Sequence, residues 1–147
     1  MPCLSAPFNP AIGPLLNVII APAGTLKAKG NGDGKQEQAR FLSLLIDTGA
    51  DITCLATQVA AELGLQLLGK RNVHHAAGSD EANTYLADIA IPFGDPTKGV
   101  QTFIAENITI LEFGGAHPNY RGLLGRDIIC LGLLSIWGWD SRYTFCL

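Results

Sequence analysis

The stretch LLIDTGAD, from Leu44 to Asp51, places two carboxylates directly after an apolar run. Three aliphatic residues are typical of a strand entering a core, where a charged group is seldom buried without a partner. Neighbouring groups control the protonation of a carboxylate in such a setting, which is what acid–base chemistry requires. The simpler interpretation is an ordinary turn, in which Asp47 accepts hydrogen bonds from nearby amides and Gly49 takes a positive φ.

The residues after Asp47 favour a site over a plain turn. Thr48 supplies a hydroxyl that can bond to another backbone, and Gly49 lets a substrate or a second chain approach closely. Asp51 adds a second acid that needs a partner. Arg126, in the later stretch GLLGRDII from Gly122 to Ile129, is the best candidate for that partner, and we expect the ion pair to be partly buried.

Together these two stretches resemble the retropepsin-type aspartic proteases. LLIDTGADIT (Leu44 to Thr53) is similar to the catalytic loop of that family, and GLLGRDII is similar to its later strand-to-helix motif. The two motifs occur in the family's order, and the resemblance extends from about Leu15 to the C-terminus. It implies a mostly β fold, the closed β-barrel of the acid proteases with two short helices.

The resemblance also implies a role for each site residue. Asp47 is the catalytic aspartate, Thr48 hydrogen-bonds across the catalytic pair, and Gly49 contacts the substrate backbone. Ala50 offers no hydroxyl to the carboxylate, which implies a mildly acidic pH optimum. Asp51 pairs with Arg126 and helps hold the peptide main chain. Gly78 belongs to a flap hairpin between Arg71 and Ile91 that closes over the substrate.

Peptide hydrolysis of this class needs two carboxylates around one water, and the chain holds one Asp-Thr-Gly. Other aspartates, such as Asp33 and Asp140, lack the required glycine placement. We therefore expect a homodimer in which each subunit contributes its Asp47, because two-fold dimers are the commonest oligomers. The alternative from another class is a retropepsin-like binding or dimerisation module without peptidase activity. An unrelated β domain with a chance Asp-Thr-Gly is the third possibility.

Local patterns predict the elements that position these residues. We expect strands at Leu15–Ala21, Arg40–Ile46, Arg71–Ala77, Asn83–Ile91 and Val100–Ala105, and a C-terminal hairpin around 138–142. GSDEA and PFGDPTKG are predicted turns, and 23–38 is a predicted loop. Thr57 and Asp127 are predicted helix N-caps, with Gly64 ending the first helix. Residues 1–14 are an N-terminal extension, either removable or part of the dimer interface, and 15–147 form the protease domain.

The composition limits the other partners. A net charge of -3 gives no electrostatic reason to expect nucleic acid or an anionic membrane. The four cysteines have no C-x-x-C spacing, and the adjacent His74 and His75 would point to opposite faces of a strand, so we expect no metal or other cofactor. We see no secretory signal or membrane span, and therefore expect a cytoplasmic protein whose cysteines are reduced and mostly buried.

Overall fold

Ten strands and two short helices make up the described part of the computed structural model, which comprises residues 1–26, 38–95, 97–115 and 117–147. The helices are α1 (Thr57–Glu62) and α2 (Arg126–Ile129). The strands are β1 (Cys3–Pro7), β2 (Leu15–Pro22), β3 (Arg40–Ile46), β4 (Cys54–Ala56), β5 (Gln66–His75), β6 (Gly78–Asp95), β7 (Gly99–Phe113), β8 (Gly122–Leu124), β9 (Leu133–Trp137) and β10 (Arg142–Cys146).

Six of these strands close into a barrel. β2, β3, β8, β4, β7 and β6 are neighbours in that order, and β2 pairs again with β6 to complete the ring. Alternate residues of β2 (Leu16, Val18 and Ile20) are fully buried, as expected of strands with one face on a core. The predicted fold class, a mostly β closed barrel with two short helices, is confirmed.

The two chain ends form a separate three-stranded sheet, ordered β1, β10, β9. The predicted C-terminal hairpin is confirmed, since β9 and β10 pair antiparallel. The sheet rests on the barrel through Phe145, whose ring centroid lies 6.2 Å from that of Phe93. Tyr143 also donates its hydroxyl hydrogen to the Leu15 carbonyl at 2.6 Å.

The prediction that the cysteines are reduced is wrong for two of the four residues. Cys3 and Cys146 face each other across β1 and β10 and form a disulfide. Cys130 is free but exposed, and Cys54 alone is free and partly buried. Sequence spacing hid the disulfide because its two cysteines are 143 residues apart and meet only through the pairing of the chain ends.

Both predicted helices exist, but their predicted N-caps are wrong. Ala56 caps α1 and Gly125 caps α2, in each case without a side-chain hydrogen bond, so Thr57 and Asp127 lie inside their helices. The predicted stop at Gly64 is confirmed by its φ of 59°. The amides of Gly64 and Leu65 bond to the carbonyls of Ala61 and Ala60, the pattern of a Schellman motif.

The middle of the chain differs from the prediction in its turns. GSDEA lies in β6 rather than in a turn, because β5 and β6 pair up to His75 and Gly78. The hairpin therefore turns at Ala76 and Ala77, and Gly78 follows with a φ of 138°. The turn predicted in PFGDPTKG is present between β6 and β7 but is shorter than predicted, since β6 continues to Asp95 and β7 begins at Gly99. Most of the predicted loop 23–38 lies outside the described residues. Within the described ranges, neither helix is long and apolar enough to cross a membrane.

Candidate active site

Strand β3 delivers Asp47 from the barrel core to its edge. Leu44 and Ile46 are buried, whereas Asp47 is half-buried and Thr48 is exposed. The Asp47 amide donates to the Leu124 carbonyl at 3.0 Å, which fixes the start of the loop against β8. The carboxylate thus stands where a rigid strand ends and solvent begins, as an acid that acts on a substrate must.

Hydrogen bonds within the loop orient the Asp47 carboxylate. The Gly49 amide donates to Asp47 Oδ1 at 2.8 Å, and the Ala50 amide donates to the Asp47 carbonyl at 3.2 Å. A Cβ on Gly49 would lie 3.1 Å from Oδ1, so a side chain there would crowd the carboxylate. The glycine therefore has a local role besides the substrate approach expected from the sequence. Such turn bonds also fit the plain-turn alternative, so the loop alone does not decide the function.

The second motif is bonded to the first through the backbone. Arg126 donates its amide hydrogen to the Ala50 carbonyl at 2.8 Å, and Asp127 donates to the Asp51 carbonyl at 3.2 Å. A Cβ on Gly125 would lie 2.5 Å from the carbonyl carbon of Ile52, which explains why glycine precedes the arginine. The two stretches that are similar to the protease motifs form one structural unit.

Thr53 and Asp127 complete this unit, whereas the sequence predicted only a helix cap for Asp127 and no role for Thr53. The buried Thr53 donates its hydroxyl to Asp127 Oδ1 at 2.8 Å and accepts the Gly125 amide at 3.1 Å. The Thr53 amide also donates to both Asp127 oxygens. The sequence feature that could have indicated this contact is a threonine between apolar neighbours. Such a residue is expected to be buried, and a buried hydroxyl requires hydrogen-bond partners.

Asp51 and Arg126 are joined by an ion pair, but the pair is not buried as expected. The Asp51 side chain is 77% exposed and that of Arg126 is 52% exposed. Exposed pairs contribute about 0–1 kcal/mol, because water screens the attraction. The large cost of breaking a buried ion pair therefore does not apply to the single chain.

Cys54, on β4, lies close enough to Asp47 and Asp127 to respond to both charges. Burial, and then the charges of Asp127 and Asp47, raise the pKa of the Cys54 thiol to about 11. Its Sγ donates to the Ile52 carbonyl at 3.2 Å. A thiol that stays protonated at neutral pH is a poor nucleophile.

The hairpin of β5 and β6 carries polar cross-strand pairs near its turn. His74 Nδ1 lies 2.6 Å from Ser79 Oγ, and His75 Nε2 lies 2.9 Å from Asp80 Oδ2. The two histidines use different faces of the hairpin, as predicted, and no three His, Cys, Asp or Glu side chains in the described part of the chain gather as metal ligands. Gly78, the predicted flap residue, lies directly after the turn.

The fold and the site together define the protein class. A closed barrel that presents an Asp-Thr-Gly loop against a Gly-Arg-Asp turn is an acid-protease fold. A family model described as aspartyl protease matches residues 27–128, and the chain belongs to this retropepsin-like family. A search of curated proteins finds no match to the chain.

Proposed function

We propose that this protein is an aspartic endopeptidase that acts as a homodimer, with one Asp47 carboxylate from each subunit. The observation that carries the proposal is the Asp47 carboxylate itself, held by the Gly49 amide in a loop bonded to the second motif. A plain turn would not need the backbone bonds that join residues 50 and 51 to residues 126 and 127. Family membership supports the same reading.

The two carboxylates have different roles in the proposed reaction. One is ionised and takes a proton from the attacking water, while the other is protonated and donates to the carbonyl oxygen of the scissile bond. Two such groups share one proton and titrate as a pair. Thr48 would bond across the pair, Gly49 would contact the substrate backbone, and Asp51, held by Arg126, would bind the peptide main chain.

The hairpin between Arg71 and Ile91 would close over the bound peptide and exclude water. Its turn lies at Ala76–Ala77, two small apolar residues that can approach a substrate closely, and Gly78 supplies the positive φ there. Hydrogen exchange of the amides near this turn should slow when a hydroxyl-bearing transition-state mimic binds. Unchanged exchange at saturating inhibitor would argue against a closing flap.

Peptide-library cleavage by the parent and by Asp47→Asn tests the function. The amide is nearly isosteric with the carboxylate but cannot act as a base, so cleavage should be lost while the fold and dimer persist. Asp95→Asn is the matched control, since Asp95 is an exposed acid at the end of β6. A parent that cleaves nothing at any pH favours the binding module, and an active Asp47→Asn removes this residue from the mechanism.

The cytoplasmic location also stays a prediction. The Cys3–Cys146 disulfide weighs against it, because such bonds persist mainly in oxidising compartments. Alkylation of intact cells before lysis, followed by mass spectrometry of the two terminal peptides, measures the redox state where the protein resides. Fully alkylated Cys3 and Cys146 would support the cytoplasm.

A further inference from the structure

The outer part of the hairpin of β5 and β6 extends beyond the barrel as two strands. Strand β6 pairs with β7 only from Thr84 onward, so residues 78–83 form strand pairs with β5 alone. In the described part of the chain, β5 is the outermost strand of its sheet. A two-stranded ribbon is at best marginally stable in water. A few side-chain hydrogen bonds near the turn can therefore decide the shape of this segment.

His75 makes two hydrogen bonds beside the turn, one with each ring nitrogen. Nδ1 accepts the backbone N–H of Ala77 at 3.2 Å, and Nε2 lies 2.9 Å from Asp80 Oδ2. An ionised carboxylate only accepts hydrogen bonds, so Nε2 must carry the hydrogen, and Nδ1 must keep its lone pair to accept from Ala77. Both bonds together therefore require the neutral imidazole with its proton on Nε2.

The bond from Ala77 to His75 has the form of an Asx turn. Asn and Asp side chains accept the backbone N–H two residues further on and so fix tight turns. His75 Nδ1 does the same for the turn at Ala76–Ala77. Unlike asparagine, histidine ordinarily gains a proton between about pH 8 and 5. That proton occupies Nδ1, so the Ala77 N–H would lose its acceptor, while the bond to Asp80 would become charge-assisted.

We propose that His75 is a positioning residue of the flap, and that its protonation releases the turn at the flap tip. With the neutral imidazole, the turn has one fixed shape over the substrate. With the imidazolium, the ring stays on Asp80 and the turn is free to change shape, so substrate is held more weakly as the pH falls. The effect on substrate rests on the proposed function, whereas the proton-dependent turn does not.

His75 and Asp80 lie on the side of the hairpin that faces the candidate site. Arg71, on β5, lines a cavity together with Ile52 of the loop that follows Asp47. Side chains alternate along a strand, so His75 shares the face of Arg71. Asp80 pairs with Val73, which lies between these two residues on that face. The shape of the turn and its histidine switch thus belong to the face that would cover a bound peptide.

The charged groups near His75 divide between the two faces of the hairpin. On the face of His75 they are Asp80 and Arg71. The opposite face carries His74, which is hydrogen-bonded to Ser79, and the pair formed by Lys70 and Glu81. A substitution at His74 therefore changes a neighbouring imidazole without touching the bonds of His75.

NMR of the turn tests the switch without a substrate. The imidazole nitrogen shifts of His75 should show the Nε2–H form at pH 8 and the imidazolium at pH 5. The exchange protection of the Ala77 amide should fall about two- to tenfold over the same range, as for one lost hydrogen bond. His75→Asn keeps an acceptor that does not titrate, so its turn should be independent of pH. His74→Asn is the matched control and should behave as the parent does.

Binding of a hydroxyl-bearing transition-state mimic tests the link to the site. Dividing the Kd of the parent by that of His75→Asn at each pH cancels the titration of the Asp47 pair, which both proteins share. This ratio should rise about two- to tenfold from pH 8 to pH 5. His75→Gln keeps a donor for Asp80 but has no acceptor for Ala77, so its ratio should be high already at pH 8. His74→Asn should give the ratio of the parent.

The outcomes separate the switch from the proposed function. A pH-dependent turn with a rising Kd ratio supports the proposal. A neutral His75 with its proton on Nδ1, or an Ala77 amide no more sensitive to pH in the parent than in His75→Asn, overturns it and leaves the proposed function standing. A pH-dependent turn with a flat ratio overturns the positioning role. A pH-dependent turn in a parent that binds no mimic and cleaves no peptide supports the switch and contradicts the proposed function.

Discussion

Two aspartates at this site show how surroundings give one side chain two roles. Asp127 accepts hydrogen bonds from the Thr53 amide, the Thr53 hydroxyl and the Ile128 amide, so its oxygens serve to hold the second motif in place. Asp47 accepts the Gly49 amide from its own loop and stands half-exposed at the end of β3. A carboxylate that is committed to structure cannot also exchange protons with a substrate. The geometry therefore favours Asp47 as the reacting acid.

Arg126→Ala should scarcely change the stability of the single chain. The Asp51–Arg126 pair is exposed, and such pairs contribute about 0–1 kcal/mol to the free energy of unfolding. Urea unfolding should be measured at concentrations where the midpoint no longer depends on concentration. A decrease of about 3 kcal/mol in the free energy of unfolding would contradict this expectation, because it is typical of a buried ion pair. Any loss of cleavage beyond this stability change would arise from peptide binding or from the dimer.

Alkaline pH should destabilise the protein in two overlapping ranges. The pKa of Cys54 is raised to about 11 and that of Tyr143 to about 12, chiefly by burial, so the folded chain keeps both protons longer than the unfolded chain does. Unfolding is then favoured as pH rises from about 9 to 11 for the thiol and from about 10 to 12 for the phenol.

Urea midpoints from pH 8 to 12 measure this loss. Cys54→Ala should remove the lower part of the pH dependence. Tyr143→Phe should remove the upper part, while lowering stability at every pH by about 1 kcal/mol for the lost bond to the Leu15 carbonyl. A parent whose midpoint stays constant from pH 9 to 12 would contradict the buried protonated state of both groups.

At the scale of elements, the sequence predicted strands well and turns poorly. Short apolar runs rich in branched aliphatic residues, as in β2, predict a strand from local sequence alone. The sequence does not predict the turn at Ala76–Ala77, because alanine has no turn preference. It predicts a turn at the polar stretch GSDEA instead. Likewise Thr57 and Asp127 have side chains that suit a cap, but the backbone enters each helix one or two residues earlier. The unpaired charge of Asp51 predicted its contact with Arg126, but the backbone bonds between the two motifs could not be predicted from local patterns, because they depend on the barrel closing.

The close backbone contact at the junction of β8 and α2 can be tested by adding a side chain at Gly125. Gly125→Ala adds a Cβ 2.5 Å from the Ile52 carbonyl carbon, where backbone leaves no room to relax. Overpacking of this kind costs about 1–3 kcal/mol, and the displaced loop should also lose cleavage. Gly114→Ala is the matched control, since nothing lies within 4 Å of its Cβ position. Equal urea midpoints and equal kcat/KM for the two variants would contradict the close contact.

At the scale of the whole molecule, the two chain ends are joined to each other by strand pairing and by a disulfide. Strands β1 and β10 pair along five residues, and the disulfide closes nearly the entire chain between Cys3 and Cys146. Such a cross-link restricts the unfolded chain, and the restriction grows with the length of the closed loop. The ends thereby complete a sheet whose other outer strand is β9.

Removing the disulfide should therefore lower stability without removing the fold. Cys3→Ser breaks the bond at its exposed end, and loops of this length correspond to about 2–5 kcal/mol. Dithiothreitol should lower the urea midpoint of the parent to that of Cys3→Ser and leave the midpoint of Cys3→Ser unchanged. Cys130→Ser, at an exposed free cysteine, should match the parent in both conditions. The hydrophobic contact of Phe145 with Phe93 and the Tyr143 hydrogen bond remain in the reduced chain, so β10 should stay docked on the barrel. A parent midpoint that dithiothreitol does not move, with reduction verified by mass spectrometry, would show that pairing of the strands alone holds the chain ends.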